Sequence, residues 1–118
     1  MSATTFEERT FGFSKSILLF LRKYELGVIY KPIVFQLLRS ATSIGANVIE
    51  GRSGNSKKNL VNYFSVALRS ANETCYWLRL IKETVGEIED DINMLMNECR
   101  EISKILAKSI ITMKSNMD

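Results

Sequence analysis

Apolar residues recur every three or four positions along most of the chain, which is the spacing of one face of an α-helix. The repeat is clearest near the C-terminal end, where the steps alternate between four and three: Ile88, Ile92, Leu95, Cys99, Ile102 and Leu106. Residues that cap or interrupt helices lie between the apolar runs. The pattern therefore predicts four helices, at about residues 14–25, 32–50, 57–85 and 88–112.

Residues at the predicted helix ends set these bounds. Ser14 and Ser56 stand where the N-caps of the first and third helices are expected. Gly27 and Gly51 are expected to end the first and second helices, because glycine is favoured just past a helix C-terminus. Residues 5–12 would then be an irregular lead-in to the first helix.

Short connections between four helices favour antiparallel neighbours. We therefore predict an all-α fold, an up-down-up-down antiparallel four-helix bundle. The sequence has no strand-like alternation and no internal repeat. Its 118 residues suit a single domain over residues 1–118.

The predicted second helix carries a stripe of polar side chains at steps of four, three, four and three. Its members are Gln36, Ser40, Ser43, Asn47 and Glu50. The stripe either lines a groove or forms a hydrogen-bonded seam between helices or subunits, and the seam is favoured because buried polar groups usually serve packing specificity. Small residues in the same segment, residues 40–47, would let another backbone approach closely.

The predicted third helix is apolar on two stripes. One runs from Leu60 to Val85 and suits the bundle core. The other consists of Val66, Ser70, Glu73, Trp77 and Leu80. An apolar patch around an exposed Trp77 would be unusual on a soluble monomer. A heterologous contact repeated by rotation would cover it and close a ring, so we predict that this stripe is an oligomer interface.

The net charge of +3 is unevenly distributed. Residues 52–86 hold six basic and two acidic residues, whereas residues 87–118 hold four basic and seven acidic residues. The candidate nucleic-acid contacts are Arg52, Lys57, Lys58 and Arg69. No run of five or six like charges occurs, so an ordinary solvated face is the alternative interpretation. Tyr76 and Trp77 lie in an otherwise apolar helix, so no aromatic stacking platform for bases is predicted.

The residue inventory argues against an enzyme. There is no histidine, which removes the commonest general base and the commonest transition-metal ligand. The two cysteines, Cys75 and Cys99, form no Cys-x-x-Cys motif. They lie at similar heights in an antiparallel hairpin, where we expect two buried thiols without a disulfide. We predict no catalytic residue, no metal and no cofactor.

No apolar run approaches the roughly 18 residues that cross a bilayer, so no membrane association is expected. The N-terminal segment lacks a basic region followed by an apolar stretch, which argues against a signal peptide. We expect a cytoplasmic protein.

Three segments resemble one family in order and spacing: residues 38–47 (LRSATSIGAN), residues 56–58 (SKK) and residues 73–80 (ETCYWLRL). With residues 8–13 (ERTFGF), the resemblance covers roughly residues 8–106. The chain is similar to the bacterial four-helix bundle family that includes proteins encoded in intervening sequences of large-subunit ribosomal RNA genes.

The resemblance implies an all-α fold and a homo-oligomeric ring, with a pentamer expected, and it supplies no catalytic residue. Distant relatives that serve retroelements bind nucleic acid through a basic surface. We therefore predict a non-enzymatic homo-oligomeric accessory protein that binds structured RNA through its basic segment. The alternative is a structural or protein-interaction scaffold without a nucleic-acid role.

Overall fold

The computed structural model describes residues 4–54 and 56–117, and four long helices make up most of them. The helices are α1 (Phe6–Lys23), α2 (Lys31–Ser53), α3 (Lys57–Val85) and α4 (Glu89–Ser115). A single 3₁₀ turn, Val28–Tyr30, leads into α2. The described residues contain no strand, and the predicted all-α four-helix fold is confirmed.

Contacts between the helices show the antiparallel arrangement. Each helix packs on the helix before it and the helix after it, and α1 also packs on α4. The register of α1 against α4 follows from two ion pairs, in which Arg9 meets Glu98 and Lys23 meets Asp91. A later residue of α1 thus meets an earlier residue of α4. α1 and α3 therefore lie on one diagonal of the bundle, whose extents of 49 × 34 × 19 Å show an oblong cross-section.

The core is a single cluster of apolar side chains from all four helices. Its fully buried large members are Ile17, Leu37, Ile44, Phe64, Leu78, Ile81, Ile92, Ile102 and Leu106. Each such side chain contributes about 1.5–3 kcal/mol relative to an exposed position. Burial of the predicted stripes is therefore what holds the bundle together.

The first helix begins earlier than predicted. It starts at Phe6, and Thr5 is its N-cap, with Oγ1 accepting a 3.1 Å hydrogen bond from the Glu8 amide. Glu7 and Glu8 lie in its first turn, where acidic side chains favour the helix dipole. Ser14 is inside the helix, so the prediction that it caps α1 and that residues 5–12 are irregular is wrong.

Close packing against α2 explains the extra turns of α1. A Cβ added at Gly45 would lie 3.3 Å from the carbonyl carbon and oxygen of Thr10, so the two backbones nearly touch. Thr10 is fully buried there. This contact outweighs the low helix propensity of Gly12. It also matches the expectation that the small residues of α2 admit a neighbouring backbone.

Two glycines do not end helices as predicted. Gly51 is a buried residue inside α2, and a Cβ there would meet Tyr63 Cβ at 2.9 Å. The helix continues to Ser53 because Gly51 serves close packing on α3. Gly27 has a φ of 100° and precedes the 3₁₀ turn, four residues after α1 ends at Lys23. The Ser56 cap of α3 is confirmed, since its side chain accepts from the Asn59 amide at 3.1 Å.

Candidate nucleic-acid and subunit interfaces

Polar residues at the α2–α3 contact form a hydrogen-bonded seam inside the bundle. Ser40 Oγ and Thr74 Oγ1 lie 2.9 Å apart, and both residues are fully buried. One turn away, Ser43 Oγ and Ser70 Oγ are also 2.9 Å apart. Asn47 Nδ2 donates to Ser43 Oγ at 2.9 Å. The Ser40–Thr74 and Ser43–Ser70 bonds join α2 to α3 and contribute about 0.5–1.5 kcal/mol each, whereas the Asn47–Ser43 bond lies within α2.

The two ends of the polar stripe lie at the surface. Gln36 is partly exposed, and its Oε1 accepts a 3.0 Å hydrogen bond from Arg39 Nε. Glu50 is exposed near the end of α2, where its backbone carbonyl accepts a 2.9 Å bond from the Ser53 hydroxyl. The stripe is thus a buried seam with a surface residue at each end.

The second stripe of α3 lies on the flank that faces α2. Ser70 is buried in the seam, whereas Val66, Trp77 and Leu80 are partly exposed. Trp77 Nε1 donates to Glu73 Oε2 at 2.9 Å, and Arg39 of α2 forms an ion pair with the same carboxylate. Trp77 is therefore anchored within the protomer, and α2 covers part of the patch that was expected to be open.

Two phenylalanines and two aliphatic side chains are exposed on the outer side of α1 and α2. Phe11 is 63% exposed and Leu18 follows it by seven positions. On α2, Phe35 is 65% exposed and Ile49 follows by fourteen positions. A step of seven returns a helix to nearly the same face, which is the repeat used when two helices pack together. We call these four residues the apolar face.

Sequence reasoning missed the apolar face because its residues adjoin the core stripes. On α1, the apolar face lies on the side of the helix that meets α2. Ser14 marks that side, because its hydroxyl lies 3.4 Å from the Ala41 carbonyl oxygen of α2. Leu18 lies one turn beyond Ser14 on that side of α1. The seven-residue spacing of Phe11 and Leu18 was the available signal in the sequence.

The four candidate nucleic-acid contacts fall into two groups. Lys57, Lys58 and Arg69 are exposed and form no ion pair with any described residue. Arg52 differs, since its Nε lies 3.7 Å from Glu7 Oε1. Its guanidinium also stands over the Phe64 ring at 5.4 Å from the centroid. Three of the four cations are thus open to an external anion.

Lys58 and Arg69 share the outward side of α3 with several neutral polar residues. These positions differ by eleven, about three helical turns. The exposed residues of this side up to Tyr76, which we call the outer ridge, are Lys58, Asn62, Arg69, Asn72 and Tyr76. Glu73 is the one acidic residue of α3 within this span, and Arg39 binds it on the flank facing α2. The ridge is therefore positive and polar over about 27 Å.

Tyr76 presents its ring to solvent on that ridge. It is 59% exposed, and its ring packs edge-on against Trp77 with the centroids 4.9 Å apart. The sequence predicted no aromatic stacking platform for bases, and that prediction is not tested by the exposure of one tyrosine ring. Trp77 in turn is held by Glu73, so the ring on which Tyr76 packs is fixed within the protomer.

The α1–α4 side is the most open side of the bundle. A groove of about 410 Å³ runs there over Phe13, Phe20 and Leu95. Lys23 Nζ binds Asp91 Oδ2 at 2.8 Å on its rim. This contact, together with a hydrogen bond from the Tyr24 hydroxyl, lowers the pKa of Asp91. The Lys23 and Asp91 side chains on the rim of the groove are thus paired with each other within the protomer.

Comparison with known families identifies the chain. The family described as 23S rRNA-intervening sequence protein matches residues 7–108. The chain belongs to this family. A crystal structure of a protein with unknown function from the S23 ribosomal protein family of Bacteroides thetaiotaomicron VPI-5482 is similar to it, with a TM-score of 0.78 and 31% identity over 90% of this chain and 98% of that chain. A comparison with curated proteins finds no match.

The extent of the match agrees with the observed first helix of this 23S rRNA-intervening sequence family member. The matched region begins at residue 7, inside α1, and ends at residue 108, inside α4. It therefore includes the apolar face, the seam and the outer ridge. None of the four helices is long and apolar enough to span a membrane over the described residues.

The cysteines of this family member come together as their register predicts. Cys75 Sγ and Cys99 Sγ are 2.9 Å apart, and both are free thiols. Cys99 is buried, whereas Cys75 is only partly buried, so the expectation of two buried thiols holds for one of them. Over residues 4–54 and 56–117, no group of three or more Cys, Asp or Glu side chains is placed to hold a metal ion.

Proposed function

We propose that the protein is a non-enzymatic homo-oligomeric accessory protein that binds structured RNA through the outer ridge of α3 and the adjoining Lys57. The observation that carries the proposal is the set of three exposed cations, Lys57, Lys58 and Arg69, which no described carboxylate neutralises. The family name refers to 23S rRNA, and RNA is accordingly the polyanion we propose. A protein with this role would act in the cytoplasm.

Phosphate contacts supply the affinity in this proposal. Each cation that neutralises a phosphate releases counterions, which favours binding and makes it depend on salt. Asn62 and Asn72 can hydrogen-bond to phosphate or sugar oxygens, which position an RNA without reading its sequence. Tyr76 can stack on a base that is not paired, such as one in a loop or bulge. Arg52 contributes least because Glu7 already binds it.

The proposed assembly joins two different surfaces of neighbouring copies. The apolar face of one copy packs on the flank of the next copy that carries Val66, Trp77 and Leu80. Such a heterologous contact closes into a ring when the rotation fits, and we propose a ring of about five copies. Burying the exposed rings of Phe11 and Phe35 removes apolar surface from water, which drives the contact. A ring would also repeat the outer ridge around its rim.

RNA binding tests the proposal directly. We expect fluorescence anisotropy with a labelled RNA hairpin that has an unpaired loop to show an affinity that falls steeply with salt. Lys57→Glu with Lys58→Glu should weaken binding at least tenfold and lower the slope of log affinity against log salt by about one to two. The matched control is Lys108→Glu with Lys114→Glu, an equal charge change at exposed positions of α4.

The alternative function is a structural or protein-interaction scaffold without a nucleic-acid role. The apolar face favours it, because exposed apolar side chains at seven-residue spacing suit protein contacts. If RNA binding is absent, or is equally reduced by both charge-reversal pairs, the outer ridge is only a solvated surface. A stable assembly under those conditions would then support the scaffold.

A further inference from the structure

A thiol pair crosses from α3 to α4 on the side of α3 that faces away from Trp77. Cys75 Sγ lies 2.9 Å from Cys99 Sγ. A disulfide bond joins two sulfurs at about 2.05 Å, so less than 1 Å separates this arrangement from a covalent link. The two atoms are already in contact, although the residues are 24 positions apart in the sequence.

The helices are packed closely enough for such a link. Cys99 Sγ lies 3.2 Å from the Ala71 carbonyl oxygen, so the α4 side chain reaches the backbone of α3. Small residues make this possible, because Ala71 stands one turn before Cys75 on the same stripe. Bridging the sulfurs therefore requires the two Sγ atoms to approach by less than 1 Å.

The two thiols differ in exposure and acidity. Cys99 is buried, and its neighbour Cys75 together with burial raises its pKa. The hydrogen bond with Cys99 lowers the pKa of Cys75 to about 7, and the positive charge of Arg100 acts in the same direction. Cys75 is also the more exposed of the two. An oxidant from solvent would therefore meet a thiolate at Cys75 first.

A neighbouring hydroxyl adds to this asymmetry. Ser103 Oγ is the one buried side-chain oxygen or nitrogen of the described residues without a hydrogen-bond partner. Ser103 also acts to lower the pKa of Cys75, after the larger effect of Cys99. A buried hydroxyl without a partner is costly, and a charged or oxidised sulfur at Cys75 would give it an acceptor.

We propose that Cys75 and Cys99 form an oxidative modification site that a small peroxide converts into an α3–α4 disulfide. The Cys75 thiolate attacks one peroxide oxygen, the O–O bond breaks, and hydroxide leaves while Cys75 becomes a sulfenic acid. Cys99 sulfur then attacks Cys75 sulfur, the S–O bond breaks, and water leaves. Two electrons and two protons pass from the thiols to hydrogen peroxide, which becomes two molecules of water. An external thiol can reverse the link.

The link would lock the α3–α4 hairpin without changing its fold. It closes a loop of about 24 residues, which restricts the unfolded chain. A loop of this length in a domain of this size should raise the melting temperature by about 10 °C. Oxidation of the cysteine pair would therefore raise the stability of the α3–α4 hairpin, at a position next to Tyr76 of the outer ridge.

Mass spectrometry of the full-length protein tests this. Protein purified under reducing conditions and treated with stoichiometric hydrogen peroxide should lose 2 Da, with Cys75 and Cys99 in one cross-linked peptide, as removal of two hydrogens requires. Cys99→Ser should instead gain 16 Da at Cys75 as a sulfenic acid, and a sulfenic-acid reagent added afterwards should label Cys75. Cys75→Ser should react at least tenfold more slowly than the wild type, because Cys99 is buried.

Two results would overturn the proposal. One is an unchanged mass, or cross-links between chains in place of the internal one. The other is a Cys75→Ser variant that is oxidised as fast as the wild type, since Cys99 would then be the reactive residue. Melting temperatures of the reduced variants, measured alongside, show whether each variant is folded when it is tested.

Discussion

The apolar face and the outer ridge of α3 are both rows of exposed residues at helical spacing. The first is apolar, whereas the second is positive and polar. Both consist of residues that leave the core at helical spacing and point to solvent. The apolar face carries Phe11, Leu18, Phe35 and Ile49, whereas the outer ridge carries Lys58, Arg69, two asparagines and Tyr76. The core beneath them is continuous, so the fold itself does not distinguish the two surfaces. Only their side chains distinguish the surface that we propose for protein contact from the surface that we propose for phosphate contact.

The largest expected effect comes from placing charge on the apolar face. Leu18→Asp with Phe35→Asp should dissociate the proposed ring, since two carboxylates in an apolar contact oppose association by well over 3 kcal/mol. Light scattering should fall from about five times the protomer mass to 13.5 kDa. Both residues are at least 46% exposed in the protomer, so helicity by circular dichroism should be unchanged.

The control for that variant is Met94→Asp with Ile111→Asp, which places the same charge on exposed apolar residues of α4. This pair should leave the assembly intact. A wild-type protein that is already a monomer at micromolar concentration would contradict the proposed ring.

The second effect concerns the packing that holds the two surfaces in place. Gly51→Ala should destabilise the fold by about 1–3 kcal/mol, because its Cβ would meet Tyr63 Cβ at 2.9 Å. Gly12→Ala is the matched change in a helix with nothing within 4 Å, and it should stabilise by about 0.5–1 kcal/mol. Urea denaturation measures both. Equal effects would mean that Gly51 is not a close-packing position.

The third effect separates stacking from charge on the outer ridge. Tyr76→Ala should weaken binding of an RNA hairpin with an unpaired loop by about 1–3 kcal/mol. The same change should leave affinity for a fully paired RNA duplex almost unaltered, and the salt slope should not change. Anisotropy titrations with the two RNAs measure this. An equal loss of affinity for the hairpin and the duplex would instead mean that Tyr76 supports the shape of the surface and does not stack on an unpaired base.

The smallest expected effect on RNA affinity comes from replacing Arg52, which lies beside the outer ridge. Arg52→Ala should leave RNA affinity within about twofold, because Glu7 and the Phe64 ring already engage the guanidinium. Lys58→Ala should lower the salt slope by about 0.7–0.9. Titrations of both variants over a range of salt decide this. A larger loss for Arg52→Ala would extend the RNA surface toward α1.

The sequence predicted the bundle well where local signals and burial agree. Ser56 caps one long amphipathic run, and α3 is that run, followed directly by Gly86. The start of α1 could not be predicted in this way. Its first turns depend on the near contact between Gly45 and the Thr10 backbone, which joins residues 35 positions apart. Gly51 shows the same limit, because a glycine that packs closely and a glycine that ends a helix look alike in sequence.

The surfaces were harder to predict than the core for a related reason. The pairing of Arg52 with Glu7 depends on how α1 meets the end of α2, so its charge looked available in the sequence. Trp77 looked exposed because the cover that α2 provides is a tertiary contact. Exposure of Tyr76, in contrast, follows from its position between two buried stripes of α3 and was available in the helical spacing.

One measurement tests the division of roles most directly: sedimentation velocity of the protein with a labelled RNA hairpin, at low and high salt, for the wild type and two variants. We predict that Lys57→Glu with Lys58→Glu still sediments as the assembly but carries RNA at least tenfold more weakly than the wild type at low salt, and carries almost none at high salt. We predict that Leu18→Asp with Phe35→Asp sediments as a protomer that still binds RNA at low salt. RNA that sediments with the Lys57→Glu, Lys58→Glu assembly as it does with the wild type would contradict the assignment of RNA binding to the outer ridge.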